Sequence, residues 1–305
     1  MKVSVIIPVF NAAPFLDKCI QSALDQPQTG EVILIDDRST DDSLVICKKW
    51  ERVDSRVKVF VNEGTKGAGA ARNVGLCHAN CAYIAFLDAD DYYLEGRFDV
   101  TSELFSKFAD AECVSESVKI RINHTERVKT LTGDLFDGQI IGCKDSFSKI
   151  SLDSFLLKNN FLITGITIKN RSFVKVGNFD VSLKQTQDTD LLIRILNSCI
   201  VYSGEYTKPI VAYFIHETNR IHNFYDAAYY RRKLMKKHIL SYKAANYSIK
   251  TIMSLFFKYI EYEYLLMAVK PKLQKKIVKM VLLPIFFIRL FSKNDYPYNP
   301  NQKIH

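Results

Sequence analysis

The stretch YIAFLDADDYY, Tyr83–Tyr93, runs four apolar residues, Ile84–Leu87, directly into the carboxylates Asp88, Asp90 and Asp91. Carboxylates packed this closely repel one another, and a fold tolerates them chiefly when positive charge sits among them. Asp88 and Asp90 are spaced i, i+2 around a turn, so both can offer oxygen to a hard cation. Mg²⁺ and Mn²⁺ accept one or two such ligands and take the rest of their shell from water and phosphate oxygens. A second acidic pair, Asp36 and Asp37, ends the run VILIDD. A carboxylate there can accept a hydrogen bond from a nucleobase or a ribose. KGAGAARN (66–73) is glycine-rich but carries Arg72 where a dinucleotide fingerprint needs its third glycine. That substitution argues against a dinucleotide site and offers a cation to a diphosphate or base instead.

These residues need elements to position them. VSVIIPVF (3–10), a continuous apolar run with β-branched residues, predicts a buried strand, and EVILID (31–36), VKVFV (57–61) and YIAFL (83–87) predict three more. Helical patterns separate them: Leu16, Ile20, Ala23 and Leu24 share one face, and a Gly/Ala-rich loop leads into a short helix over 67–80. Ser39 is expected to cap a helix, with Asp42 as its capping-box partner, while Asp37 points into the crevice. Strands alternating with helices imply a mostly parallel sheet, whose ligands bind outside the carboxyl ends of the strands. Asn11, Asp36, Asp37, the glycine-rich loop and the Asp88–Asp91 cluster then converge on one edge. Further on, RFDVTSELFSKFADA predicts a helix and CVSESVKIRIN a strand. Residues 124–148 show no strong period and read as a loop or hairpin. FLITGITIK (161–169) and IVAYFIH (210–216) read as strands, and DTDLLIRILNS (188–198) as a helix with Leu191, Leu192, Ile195 and Leu196 inward.

The chain has 305 residues, 48% of them hydrophobic, which suits a sizeable core and excludes global disorder. Its start, MKVSVIIPVF, reads as a first strand rather than a signal peptide. Seven scattered cysteines complete no zinc pattern and read as buried reduced thiols of a cytosolic protein. The net charge of +9 is uneven: residues 227–305 hold 16 Lys and Arg against 3 Asp and Glu. That asymmetry points to an anionic partner for the C-terminal region.

Taken in order, VSVIIPVFN, VILIDDRSTDDS, GAGAARN and IAFLDADD resemble the inverting GT-A glycosyltransferases of family 2, over residues 3–91. VGNFDVSL (176–183), TQDTDLLIRI (186–195) and YFIHETNRI (213–221) extend the likeness to about 222. The resemblance implies a Rossmann-like α/β domain over 1–222, with a nucleotide-binding half (1–91) and an acceptor half (92–222), and a C-terminal helical extension. It also implies transfer of a sugar from a nucleotide sugar, with UDP favoured, to a hydroxyl of a glycan or lipid-linked acceptor in cell-surface polysaccharide synthesis. Pro8, Phe10 and Asn11 would line base and ribose, and Asp37 would read the uracil edge with Arg72 beside it. Asp88 would face the ribose and the metal shell, and Asp90 would ligate Mn²⁺ or Mg²⁺. Asp188 would be the catalytic base, and His216 would lie near the diphosphate or metal. Three positions depart from the family pattern: Gln187 replaces Glu, Phe214 replaces Arg and Asn219 replaces Ser, with Arg220 placed to restore a phosphate cation. A sugar nucleotidyltransferase and an inactive nucleotide-sugar-binding protein stay open as alternatives.

Within 223–305, the segment 272–293 has only nine uncharged residues in a row, Met280–Ile288, against the roughly 20 that a spanning helix needs. As a helix it gathers Lys272, Lys275, Lys276, Lys279, Arg289 and Lys293 within an arc of about 140°. The rest of its surface is greasy, the pattern of a helix lying in an anionic membrane interface. Such a face argues against nucleic-acid binding; a helix packed on the body is the alternative to a membrane-interface helix. With cytosolic donor sugars and a lipid-linked acceptor, the membrane reading puts the protein peripherally on the cytoplasmic face of the inner membrane.

Overall fold

In the computed structural model the described residues are 1–122, 127–130, 133–158, 162–216, 224–241, 245 and 247–268. The predicted tail helix 272–293, Asn219 and Arg220 lie outside them.

A seven-stranded sheet forms the centre. Strands β1 (Val3–Val9), β2 (Thr29–Asp36), β3 (Val57–Val61) and β4 (Tyr83–Phe86) are mutually parallel in the order β4-β1-β2-β3. The chain moves outward from β1 to β3 through helices α1 (Ala13–Leu24) and α2 (Ser43–Val53). Helix α3 (Ala68–His78) then carries it back, so β4 lands on the other side of β1. That reversal opens a crevice at the carboxyl ends of β1 and β4.

Both sheet faces are covered, which is why the strands read as unbroken apolar runs. Along β1, Val5 and Ile7 pack with Leu16 and Ile20 of α1, while Ile6 faces α3. Gly75 lets α3 approach: a Cβ there would stand 2.5 Å from Ile6 Cγ2 and 2.8 Å from Ile35 Cδ1.

The remaining strands extend and flank this sheet. Helix α4 (Asp99–Lys107) follows a two-residue β5 (Tyr92–Tyr93). CVSESVKIRIN is two strands rather than one. β6 (Cys113–Ser115) adds to the main sheet, and β7 (Val118–Ile122) joins a second sheet. The break falls at Glu116, a buried carboxylate paired with buried Arg97 at 3.1 Å. β8 (Arg127–Thr130) and β9 (Gly133–Phe136) form a hairpin, and β10 (Ile140–Ile141) pairs with β7. After α5 (Leu152–Lys158), β11 (Ile166–Lys169) inserts antiparallel between β6 and β4. The first part of the expected strand, Ile163–Gly165, is a 3₁₀ turn.

Helices α6 (Phe173–Val176) and α7 (Gln187–Ser198) lead to β12 (Val201–Ser203) and β13 (Val211–Ile215). On α7, Leu191, Leu192, Ile195 and Leu196 are buried, as their spacing predicts. Helices α8 (Phe224–Leu240) and α9 (Ile249–Ala268) close the chain's described part. Leu234, Met235, Leu255 and Tyr262 bury in the same core as β1 and α7, so the apolar core runs past residue 222.

Two local expectations are corrected. Ser39 does not cap α2, which begins at Ser43 with Asp42 before it and no side-chain cap bond. The Ser39 amide instead donates to the Asp36 carboxylate, and its hydroxyl accepts from the Asn11 amide at 3.1 Å. A loop that must lace onto a neighbouring loop outbids the helix for the same groups. The thiols are not uniformly buried either: Cys19, Cys47 and Cys113 are, whereas Cys77 is exposed.

Candidate active site

The crevice is built from strand ends. β1 delivers Phe10 and Asn11, and Asn11 sits at φ 48° with its side-chain oxygen accepting from the Thr40 amide at 2.8 Å. Arg38, on the adjoining loop, has φ 63°. Positive φ at two non-glycine residues on loops bonded to each other marks backbone held by its surroundings rather than by preference. Pro8 is half-buried within β1, paired in register with Ile35. Phe10 is 39% exposed, and the Lys66 ammonium stands 3.9 Å from its ring centroid. An exposed ring beside a cation is a platform on which a base can stack.

Asp37 differs from a carboxylate lying open in the crevice. It is 4% exposed, and its two oxygens accept from Asn62 Nδ2 at 2.6 Å and the Gly67 amide at 2.7 Å. Its carboxylate thereby ties the glycine-rich loop to the end of β2. Asn62, which follows β3, is a residue that sequence reasoning misses; its position one residue past a strand is the only signal it offers.

α3 carries Arg72 under the crevice. The side chain is 4% exposed, lies over the Phe179 ring at 5.4 Å and donates through Nη2 to Asp88 Oδ1 at 2.5 Å. Its Nε and Nη1 are buried without a hydrogen-bond partner among the described residues. Buried donors left in that state are costly and favour an incoming acceptor.

Asp88 and Asp90 follow β4, and both are half-buried. His216 follows β13, which pairs with β5 just beyond the acidic cluster, and its Nε2 lies 3.1 Å from Asp90 Oδ2. Phe15 stacks on the imidazole at 4.9 Å. Asp91 turns the other way: it is 1% exposed and accepts the Phe214 amide at 2.8 Å, leaving Oδ2 buried without a partner among the described residues. Burial and the neighbouring charge of Asp88 raise the pKa of Asp90 against the opposing pull of His216. Burial, then the charges of Asp90 and Asp88, push Asp91 well up. Such crowding is what a divalent cation relieves.

The donor chemistry fits that cation. Asp88 and Asp90 supply the hard oxygens that suit Mn²⁺ or Mg²⁺ completing its shell from water and phosphate, and the His216 imidazole beside them is a softer ligand that fits Mn²⁺ better than Mg²⁺. Among the described residues, no three His, Cys, Asp or Glu side chains form a closed metal-binding group.

Asp188 sits in the first turn of α7, its Oδ1 accepting from the Thr189 amide at 2.7 Å. Burial raises its pKa, while the nearby Arg72 charge opposes the rise. The next acidic residue, Asp190, is fully buried and engages Arg194, Lys237 and His238 at 2.7–3.0 Å. Despite burial, those bonds hold its carboxyl well below the ordinary range. Lys237 and His238 were read only as part of a basic region; they anchor α8 to the helix that carries Asp188. Gln187 packs beneath the glycine-rich loop, where a Cβ on Gly69 would meet its Cγ at 2.9 Å. The structure thus gathers Phe10, Asn11, Arg72, Asp88, Asp90, His216 and Asp188 around one crevice, with Pro8 in the strand behind it and Asp37 supporting its loop.

The sequence model of the family described as "Glycosyl transferase family 2" matches residues 4–151. An uncharacterized glycosyltransferase of Haemophilus influenzae is 44% identical over 98 residues, covering 32% of this chain and 39% of the relative. The putative teichuronic acid biosynthesis glycosyltransferase TuaG of Bacillus subtilis is 39% identical over 98 residues, with the same 32% and 39% coverage. The chain therefore spans about two fifths of the length of these curated relatives. Among solved structures, S. aureus TarS 1-349 in complex with UDP-GlcNAc superposes with a TM-score of 0.66 at 19% identity, covering 94% of this chain and 80% of that one. This last likeness is one of fold, and the fold is GT-A.

Proposed function

From a chain whose residues 4–151 match the model of glycosyl transferase family 2, we propose an inverting transfer of a sugar from a nucleotide sugar, a UDP-sugar in the first instance, to an acceptor hydroxyl. The observation that carries this reading is the meeting of Asp88, Asp90 and His216 with the Asp188 helix start around one crevice. Phe10 stacks the base and the Asn11 loop borders the ribose. Asp90 and His216 would hold Mn²⁺ or Mg²⁺, with Asp88 in its outer shell. When bound, that ion stabilises negative charge on the leaving diphosphate. The unpartnered Arg72 donors add cationic hydrogen bonding on the same side.

Asp188 accepts the proton of the acceptor hydroxyl, and its raised pKa suits that task. The acceptor oxygen bonds to the anomeric carbon as the bond from that carbon to the diphosphate oxygen breaks. One displacement from the face opposite the leaving group inverts the centre. A nucleotidyltransferase would share the acidic cluster but has no use for a base at Asp188, and an inactive binding protein would show no turnover.

TuaG is named for teichuronic acid biosynthesis, which favours a cell-surface glycan or lipid-linked acceptor here. Among the described residues no helix is long and apolar enough to cross a membrane. The basic, greasy segment 272–293 would hold the chain on the anionic cytoplasmic face, where such an acceptor is presented. Release of UDP from a panel of UDP-sugars with Mn²⁺ tests the proposal. Turnover that disappears in Asp188→Asn supports it, and turnover unaffected by that change sinks it.

A further inference from the structure

Thr189 connects the base to a cavity. Its amide and hydroxyl stand 2.7 Å and 3.5 Å from Asp188 Oδ1. The same residue lines a small cavity among α5, α7, α8 and α9, together with Phe155, Leu234, Tyr262, Arg231 and Lys258. The cavity volume is ≈ 20 Å³, room for one small polar group and not for a sugar ring.

Two of the lining residues are cationic, and both are half-buried. Arg231 rests on Tyr262, its Nη1 3.5 Å from the hydroxyl and its guanidinium carbon 5.9 Å from the ring centroid. It lies near enough for its charge to act on Asp188. Lys258 comes from α9. Among the described residues neither has a carboxylate within 4.0 Å, whereas Lys237, on the same helix as Arg231, is paired with Asp180 and Asp190 at 2.7 Å each. The basic residues of α8 thus divide. One set is neutralised against the body, and Arg231 is turned to a cavity beside the base. Cations held partly out of water with no carboxylate in direct contact cost free energy that an incoming anion offsets.

We propose that this cavity is an acceptor subsite for an anionic group, a phosphate or a carboxylate, on the molecule whose hydroxyl Asp188 deprotonates. The inference rests on the glycosyltransferase reading and names its substrate class. Because the cavity begins one residue from the base, the anion and the reacting hydroxyl stand a few bonds apart, as in a glycerol phosphate unit or a uronic acid. A neutral acceptor leaves both cations covered and unpaired, so it is rejected by mismatch as well as by lost attraction.

The test uses the full-length chain with Mn²⁺ and the UDP-sugar it turns over fastest. UDP release is compared for glycerol 3-phosphate against glycerol, and for methyl glucuronide against methyl glucoside. The anionic member of each pair should accelerate release at least about fivefold more than the neutral one. Arg231→Gln and Lys258→Gln should each raise KM for the anionic member about tenfold with a much smaller effect on kcat, and Arg231→Lys should recover part of the loss. Lys258→Gln, half-buried on the outer helix, keeps the test valid if Arg231→Gln fails to fold. Equal responses within both pairs, or no response to either anionic probe, overturn the subsite. A chain that releases UDP from no nucleotide sugar, even to water, overturns the underlying reading as well, so the two failures are told apart.

Discussion

His216 Nε2 lies 3.1 Å from Asp90 Oδ2 although 126 positions separate them. The contact exists because β13 pairs with the two-residue strand that follows the acidic turn, in the register Val211 to Tyr93. Asp90→Ala should therefore abolish Mn²⁺-dependent UDP binding in calorimetry, with the melting temperature little changed. His216→Ala should weaken the same binding by about tenfold. UDP binding by Asp90→Ala in EDTA at full strength would remove the metal assignment.

Asp188 and Asp190 share a helix turn and should fail in different ways. Asp188→Asn should retain UDP-sugar binding and lose at least about a hundredfold in turnover. Asp190→Asn disrupts a buried carboxylate held by Arg194, Lys237 and His238, and should cost about 3–5 kcal/mol of stability in urea unfolding. If the soluble, folded Asp190→Asn protein is inactive while Asp188→Asn is active, the base has been assigned two residues too early.

Gly75→Ala should destabilise the fold by about 1–3 kcal/mol, because its new methyl would press on Ile6 and Ile35 where α3 meets the sheet. Chemical denaturation of the variant measures this directly, and a neutral result would mean the helix can shift without cost.

Glu31 should give the protein an acid-sensitive stability. Burial raises its pKa, but bonds from Lys58, Ser4 and the Asn80 amide outweigh burial and bring it from 4.5 down to about 2. A carboxyl more acidic in the folded state stabilises the fold above its unfolded pKa, and that contribution is lost as pH falls from about 4.5 towards 2. Wild type should exceed Glu31→Gln by up to about 3 kcal/mol near neutral pH, and the two should converge near pH 2. Unfolding curves that run parallel across this range would contradict the linkage.

Deleting 272–305 should release the chain from anionic vesicles while leaving UDP binding intact. The six Lys and Arg of 272–293 would contribute about 1 kcal/mol each near an anionic leaflet, so binding of the full chain should also weaken as salt rises. A full-length chain that stays in the supernatant with anionic vesicles at low salt would refute the membrane role.

The sequence by itself determined the elements whose physics is local. The short apolar runs within 3–10, 31–36 and 83–87 read as strands covered on both faces, and the carboxylates that follow the last two meet where parallel strands end together. The apolar stripe of α7 was legible for the same reason, since its period lies within one element. What no local pattern carried was competition between distant groups. Ser39 has the residue type of a cap, but the Asn11 amide and Asp36 carboxylate claim it. Asp37 reads as an open carboxylate until Asn62 and Gly67 fold over it. Lys237 and His238 look like part of a solvated basic helix, and only the burial of Asp190, 47 and 48 positions away, gives them a partner that water no longer supplies. Tertiary structure decided these because desolvation is a property of the assembled core: a charge's partner is chosen by which groups lose water together, and that is not written in the residues on either side of it.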